Sequence, residues 1–158
     1  VLLHEVLPAA STDHNCDGDV SSTDDEFVEI VNTGAAPIDL SGFELRDLVA
    51  TRFVFPAGAT LPGDGAVVVY GGGSPDCSFS NVNAWSTSSL GLNNGGDTIE
   101  LWSGAILVDS FTYGAGTPTD ESWTRDPQQT DGAWALHSEL TLFGWLNSPG
   151  TLASGSSF

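Results

Sequence analysis

The chain has 158 residues, 40% of them hydrophobic, and sets 21 acidic residues against three basic ones for a net charge of −18. That length fits one domain with a real core, and that hydrophobic content argues against a disordered chain. The charge excludes nucleic acid and anionic membranes as partners, since both need Lys or Arg to neutralise phosphate, and the lack of any run of about 20 apolar residues excludes insertion as a transmembrane helix.

Residues 2–7, Leu-Leu-His-Glu-Val-Leu, read as a first strand. The first ten residues lack the basic start of a signal peptide, so a secreted form is expected to be the mature chain. The next stretch, Asp13-His14-Asn15-Cys16-Asp17-Gly18-Asp19-Val20-Ser21-Ser22-Thr23-Asp24, is the most informative in the sequence. Calcium takes six to eight oxygen ligands, and a twelve-residue loop supplies them from positions 1, 3, 5, 7, 9 and 12. Here those positions are Asp13, Asn15, Asp17, the Asp19 carbonyl, Ser21 and Asp24, with Gly18 at the sharp turn of position 6. Position 12 departs from the EF-hand pattern, being Asp rather than a bidentate Glu. The flanks are strand-like rather than helical, so the expectation is a calcium loop between the first two β-strands. The competing reading is a solvated acidic turn.

Further strands are expected at 26–32, at 38 with 43–45, and at 52–55, 66–70, 98–102, 106–112, 122–124 and 136–138, with turns at 62–65 and 94–97. Within 27–31, Val28 and Ile30 should face inward and Glu29 outward. Residues 67–70, Val-Val-Val-Tyr, read as buried on both faces. A single helical turn is expected around 82–88, and 102–106 as a tight hairpin. Residues 151–158 are small and polar and read as a short tail after a domain spanning 1–150. This pattern of short strands between turn signals is that of an all-β sandwich or barrel.

Cys16 and Cys77 both lie in loop-like segments of an otherwise Cys-free chain, which favours a disulfide and an oxidising compartment; the alternative is two free thiols. His4, His14 and His137 form no zinc-binding pair, no Gly-x-Ser-x-Gly elbow is present, and Cys16 has no neighbouring cation except His14. The chain therefore reads as a non-enzyme. Of the five tryptophans, Trp123 and Trp134 read as core or corner residues. Trp85 and Trp145 fall in loop-like segments and are the candidates for stacking on a ligand such as a sugar.

Several segments line up in order: Glu26-Phe-Val-Glu-Ile-Val-Asn32, Ile38-Asp-Leu-Ser-Gly-Phe-Glu-Leu-Arg46, Leu61-Pro-Gly-Asp-Gly65, Leu92-Asn-Asn-Gly-Gly-Asp-Thr-Ile-Glu-Leu-Trp102, Val108-Asp-Ser-Phe-Thr-Tyr113 and Ser122-Trp-Thr-Arg-Asp-Pro127. Together they resemble the lamin-tail domain family in its bacterial secreted branch, while the acidic loop alone resembles a dockerin-like calcium loop. The resemblance implies an immunoglobulin-like β-sandwich used as an extracellular or cell-surface module. The expectation is a calcium-stabilised structural or adhesive protein, one form of which is a self-assembling fibre or surface subunit that donates or exposes its N-terminal strand; the alternative is a monomer in which residues 2–7 pair within their own sandwich. The rivals are an accessory binding module of a secreted hydrolase and a carbohydrate-binding module whose partner is a polysaccharide.

Overall fold

Short β-branched and aromatic runs, punctuated by Gly, Pro, Asn and Asp, become twelve strands and one short helix among the described residues. The computed structural model describes residues 1–140 and 144–158. In chain order the strands are β1 (Leu2–Leu7), β2 (Phe27–Val31), β3 (Ile38–Asp39), β4 (Phe43–Arg46), β5 (Thr51–Val54), β6 (Thr60–Leu61), β7 (Ala66–Tyr70), β8 (Val82–Ser86), β9 (Gly96–Ser103), β10 (Ile106–Gly114), β11 (Trp123–Asp126) and β12 (Ala133–Leu136), with helix α1 (His137–Leu140) at the end. One sheet of six strands runs β12-β11-β1-β2-β7-β8; a second of four runs β10-β9-β4-β5; β3 and β6 pair by themselves.

The two larger sheets enclose one core, as in a β-sandwich. Leu3, Val6, Val28, Ile30, Val67 and Val69 point into it from the six-stranded sheet, and Leu45, Ile99, Leu101, Phe111 and Tyr113 from the four-stranded one. The period-two alternation of a strand puts these residues on one face of each sheet. The other face of the six-stranded sheet carries a second buried cluster of Leu7, Ala10, Phe27, Val68 and Tyr70. Thus β7 is buried on both faces, as its unbroken apolar run implies.

All three arginines are engaged within the chain. Arg46 bonds Glu44 at 2.9 Å and lies over the Trp102 ring, and Arg52 bonds Asp47. Arg125 donates to the Leu3 carbonyl, the Gly132 carbonyl and Asp109, with its guanidinium 4.8 Å from the centre of the Trp134 ring.

Three expectations are corrected. Residues 82–86 form β8, not a helical turn; β8 runs parallel to β7 with Trp85 opposite Val69, which turns the indole toward the core. Burial of that side chain overrides weak local preference. The expected strand at 136–138 ends at Leu136, where the chain turns into α1. Finally, β1 is not an open edge: it is paired on one side with β11 and on the other with β2.

Candidate functional site

The segment between β1 and β2 is built by its own side chains. Asp and Asn accept from backbone N–H groups two residues on, the local bonding that makes them turn formers. The Asp17 N–H donates to Asn15 Oδ1 at 3.0 Å, the Asp19 N–H to Asp17 Oδ1 at 3.0 Å, and the Gly18 N–H to Asp13 Oδ2 at 3.0 Å. Gly18 takes φ 92°, a left-handed conformation that suits glycine. The N–H groups of Asp19 and then Ser74 hold the Asp17 carboxyl below its ordinary value, so it stays ionised. Among the calcium-pattern residues one atom stands out: Asp13 Oδ1 is buried and has no hydrogen-bond partner.

The organising residue of the loop is one that the twelve-position pattern passes over. Asp25 is fully buried, and its carboxylate accepts from the N–H groups of His14, Asn15 and Ser21 at 2.8, 3.0 and 2.8 Å. The available signal was its place directly after the last pattern position, ahead of an apolar run.

The glycine-rich segment after β7 lies against this loop. A Cβ on Gly71 would fall 1.9 Å from the Thr23 carbonyl oxygen, a backbone atom, so only glycine permits the approach there; one on Gly72 or Gly73 would crowd the Asp24 and Asp17 carboxylates, and Gly73 takes φ 70°. Cys16 and Cys77 form a disulfide across the same contact, with Cα atoms 5.1 Å apart. Pattern residues Asn15, Asp17 and Asp24 and the disulfide thus meet at the glycine-rich segment, with Asp13 bonded to the Gly18 N–H, Asp19 to Asp17, and Ser21 to Asp24. Ser21 Oγ accepts from the Asp24 N–H, and Asp24 Oδ1 from the Thr23 hydroxyl.

A second polar cluster was not foreseen. Among the described residues, the group of three His, Cys, Asp or Glu side chains whose ligand atoms lie within 4.8 Å of one another is His4, Glu5 and Glu29, all buried; the loop carboxylates are more widely spread. Glu29 does point away from the core, as alternation implies, but to a covered face rather than to water. His4 Nδ1 lies 2.7 Å from Glu29 Oε1, and the Gly150 N–H donates to Glu29 Oε2 at 2.7 Å. Burial first, and the neighbouring Glu5 second, push the Glu29 carboxyl well above its usual range. Burial pushes His4 down to about 4.

The two candidate stacking residues diverge. Trp85 packs against the sandwich core with Phe53, its ring centre 6.5 Å away, and so is not a surface platform. Trp145 is 45% exposed, but its ring edge covers Gly155, where a Cβ would meet it at 2.6 Å. Residues 151–158 are not splayed from the sheet: Ala153 is buried, and the Phe158 ring meets His4 edge-on at 5.6 Å.

Two facing sheets with this strand order define an immunoglobulin-like β-sandwich. Within that class the chain belongs to the Lamin Tail Domain family, which it matches over residues 1–115. No curated protein matches the chain.

Proposed function

We propose that this domain is a non-enzymatic extracellular structural or adhesive module whose fold is stabilised by calcium at loop 13–24. The observation that carries the reading is Asp13 Oδ1, a buried carboxylate oxygen without a partner in a loop of oxygen donors. An orphaned buried acceptor is costly unless something positive meets it. Asp13, Asn15, Asp17, the Asp19 carbonyl, Ser21 and Asp24 would hold the ion; a bound calcium supplies charge neutralisation to a loop that otherwise repels itself. The Cys16–Cys77 disulfide across the loop supports an oxidising, extracellular setting.

The non-enzymatic reading rests on how the polar groups are spent. Ser148 Oγ does lie 2.9 Å from His137 Nε2 and 2.8 Å from Glu5 Oε2. In a hydrolytic triad the imidazole sits between hydroxyl and carboxylate. Here the hydroxyl is the middle member, and it is buried.

Calcium titration followed by thermal melting tests the proposal. Free calcium at about 100 times Kd should add about 2.7 kcal/mol of stability over chelator. Asp13→Asn should abolish most of that gain while leaving the chelated protein folded. An identical melt with and without calcium defeats the reading.

A further inference from the structure

Glu5 and Glu29 stand directly opposite each other on β1 and β2, side by side on the outer face of the six-stranded sheet. A register shift between Leu3 and Glu5 lets the adjacent His4 reach the same face. All three are completely buried, because residues 144–158 lie over them. Every carboxylate oxygen is engaged. Glu5 Oε1 accepts from the Ser122 hydroxyl at 2.7 Å and the Ser148 N–H at 2.8 Å, Glu5 Oε2 from the Ser148 hydroxyl, and the two Glu29 oxygens face His4 and the Gly150 N–H. All four oxygens are thus met by hydrogens of the chain, while the buried His4 Nε2 has no hydrogen-bond partner.

One of these protons can be counted from the geometry. His137 Nδ1 lies 2.9 Å from the Trp145 carbonyl, which only accepts, so Nδ1 carries hydrogen. The Ser148 hydroxyl then bridges His137 Nε2 and Glu5 Oε2. Two bonds need two protons, and the hydroxyl has one. The second sits on Glu5 or on His137 Nε2. The Glu5–Ser148–His137 chain therefore holds one proton more than an ionised carboxyl plus a neutral imidazole. The single Glu29–His4 bond needs no extra proton; there it is burial of Glu29 beside an uncharged imidazole that keeps a second proton on the carboxyl. The other groups facing the cluster do not supply these protons. They are Arg125 of β11, whose charge further lowers His4, and Tyr70 of β7, whose buried hydroxyl is raised by burial and by both glutamates.

We propose that residues 144–158 form a proton-dependent latch, bound over Glu5 and Glu29 while the cluster keeps its two protons and released as a unit when alkaline pH removes them. The sign follows from counting protons in each state. Once released, the groups return to ordinary values near 4.3 for Glu and 6.5 for His. Between roughly pH 4.5 and 6.5 the released form carries two protons on His4 and His137, and the latched form also carries two, so the equilibrium is flat. Above about pH 6.5 the released form carries none, and latching weakens by up to tenfold per pH unit for each proton still held.

Hydrogen exchange by mass spectrometry on the whole chain, in saturating calcium from pH 6 to 10 and corrected for intrinsic rates, tests this. The segment 144–158, including the donating amides of Ser148 and Gly150, should lose protection about 10- to 100-fold per pH unit above neutrality, while β2, β7 and β9 keep theirs. Glu29→Gln should reduce that slope by tenfold per unit. Ser148→Ala should weaken the latch at every pH and flatten the slope without touching the sheets, a second readout if the Gln variant misfolds. A pH-independent protection of 144–158, its loss together with β7, or wild-type slopes in both variants would overturn the proposal.

Discussion

Single residues show most clearly what sequence alone conveyed and what it did not. The alternation in β2 placed Val28 and Ile30 inward and Glu29 outward, and the faces are as expected. That Glu29 is nonetheless fully buried depends on a segment whose Gly150 lies 121 positions away, which no local pattern reports. Asp25 is the same lesson in reverse: the ligand pattern ends at Asp24, yet it is Asp25 that ties the loop together. Asp25→Ala orphans three backbone donors and should cost on the order of 3 kcal/mol in urea unfolding under chelator, about 1 per donor. A loss below 0.5 kcal/mol (about the scatter of a surface substitution) would contradict that role. Arg125→Met removes the partner of Asp109 and three other contacts, and should cost roughly 3 kcal/mol, as breaking a buried ion pair from one side does.

At the scale of elements, β1, β2, β7, β9 and β10 were legible because each is a strong apolar run bounded by turn residues. The edge strand β8 was not: Val82-Asn-Ala-Trp-Ser has little alternation, and only its parallel pairing with β7 makes it a strand. The loop 13–24 and the glycine-rich segment after β7 are likewise joined by a contact that spacing could suggest but not show. The disulfide closes a separation of 61 residues. In the chain-entropy account a closure of that length constrains the unfolded state by roughly 4 kcal/mol. Cys16→Ser with Cys77→Ser should therefore lower the chelated melting temperature by many degrees. It should also weaken calcium binding, since the loop loses its tether to the glycine-rich segment. Calorimetry with and without reductant, and calcium titration of the double variant, check both parts; an unchanged calcium affinity would show that the tether does not shape the loop.

For the whole molecule, the fold class and family were readable because many modest motifs fall in the right order, while the covering of the outer sheet face by 144–158 was not, since Trp145, Leu146, Leu152 and Phe158 are spaced without strand or helix periodicity. The buried ionisable groups set the pH profile. Glu29 is raised, and Glu26 is pushed up to about 8, chiefly by burial, against the N–H of Leu92 and with help from Asp24 and Asp97. A raised carboxyl keeps its proton in the folded state after the unfolded chain has lost it, so its contribution falls as pH rises from about 4.3 through the folded value. His4, lowered to about 4, acts oppositely, and stability gained from it grows between about 4 and 6.5. On the acid side, burial alone would raise Asp47, but its bonds from Arg52 and the N–H groups of Ala50 and Val49 outweigh it; that contribution is lost as pH drops below about 3.9. Between about pH 4.3 and 6.5 the two raised carboxyls outweigh the one histidine, so chemical denaturation in chelator should show a maximum near pH 4–5 and a decline toward pH 8. A maximum above pH 8 would contradict the assignment.

The commitment of Arg46, Arg52 and Arg125 to partners inside the chain has a consequence for how the surface meets ions. With each guanidinium neutralised at home, an approaching cation sees an almost unbroken anionic exterior. Such a field gathers a counter-ion atmosphere in which divalent ions are concentrated well above their bulk level. The loop 13–24 would then sample calcium enriched by the rest of the molecule, and added monovalent salt would strip that enrichment over a Debye length of about 10 Å at 0.1 M. If the proposed calcium site holds, apparent calcium affinity should fall several-fold between about 10 mM and about 500 mM sodium chloride, with no change in the residues proposed to hold the ion. Isothermal titration at the two salt concentrations measures how much of the binding belongs to the loop and how much to the charge of the whole domain.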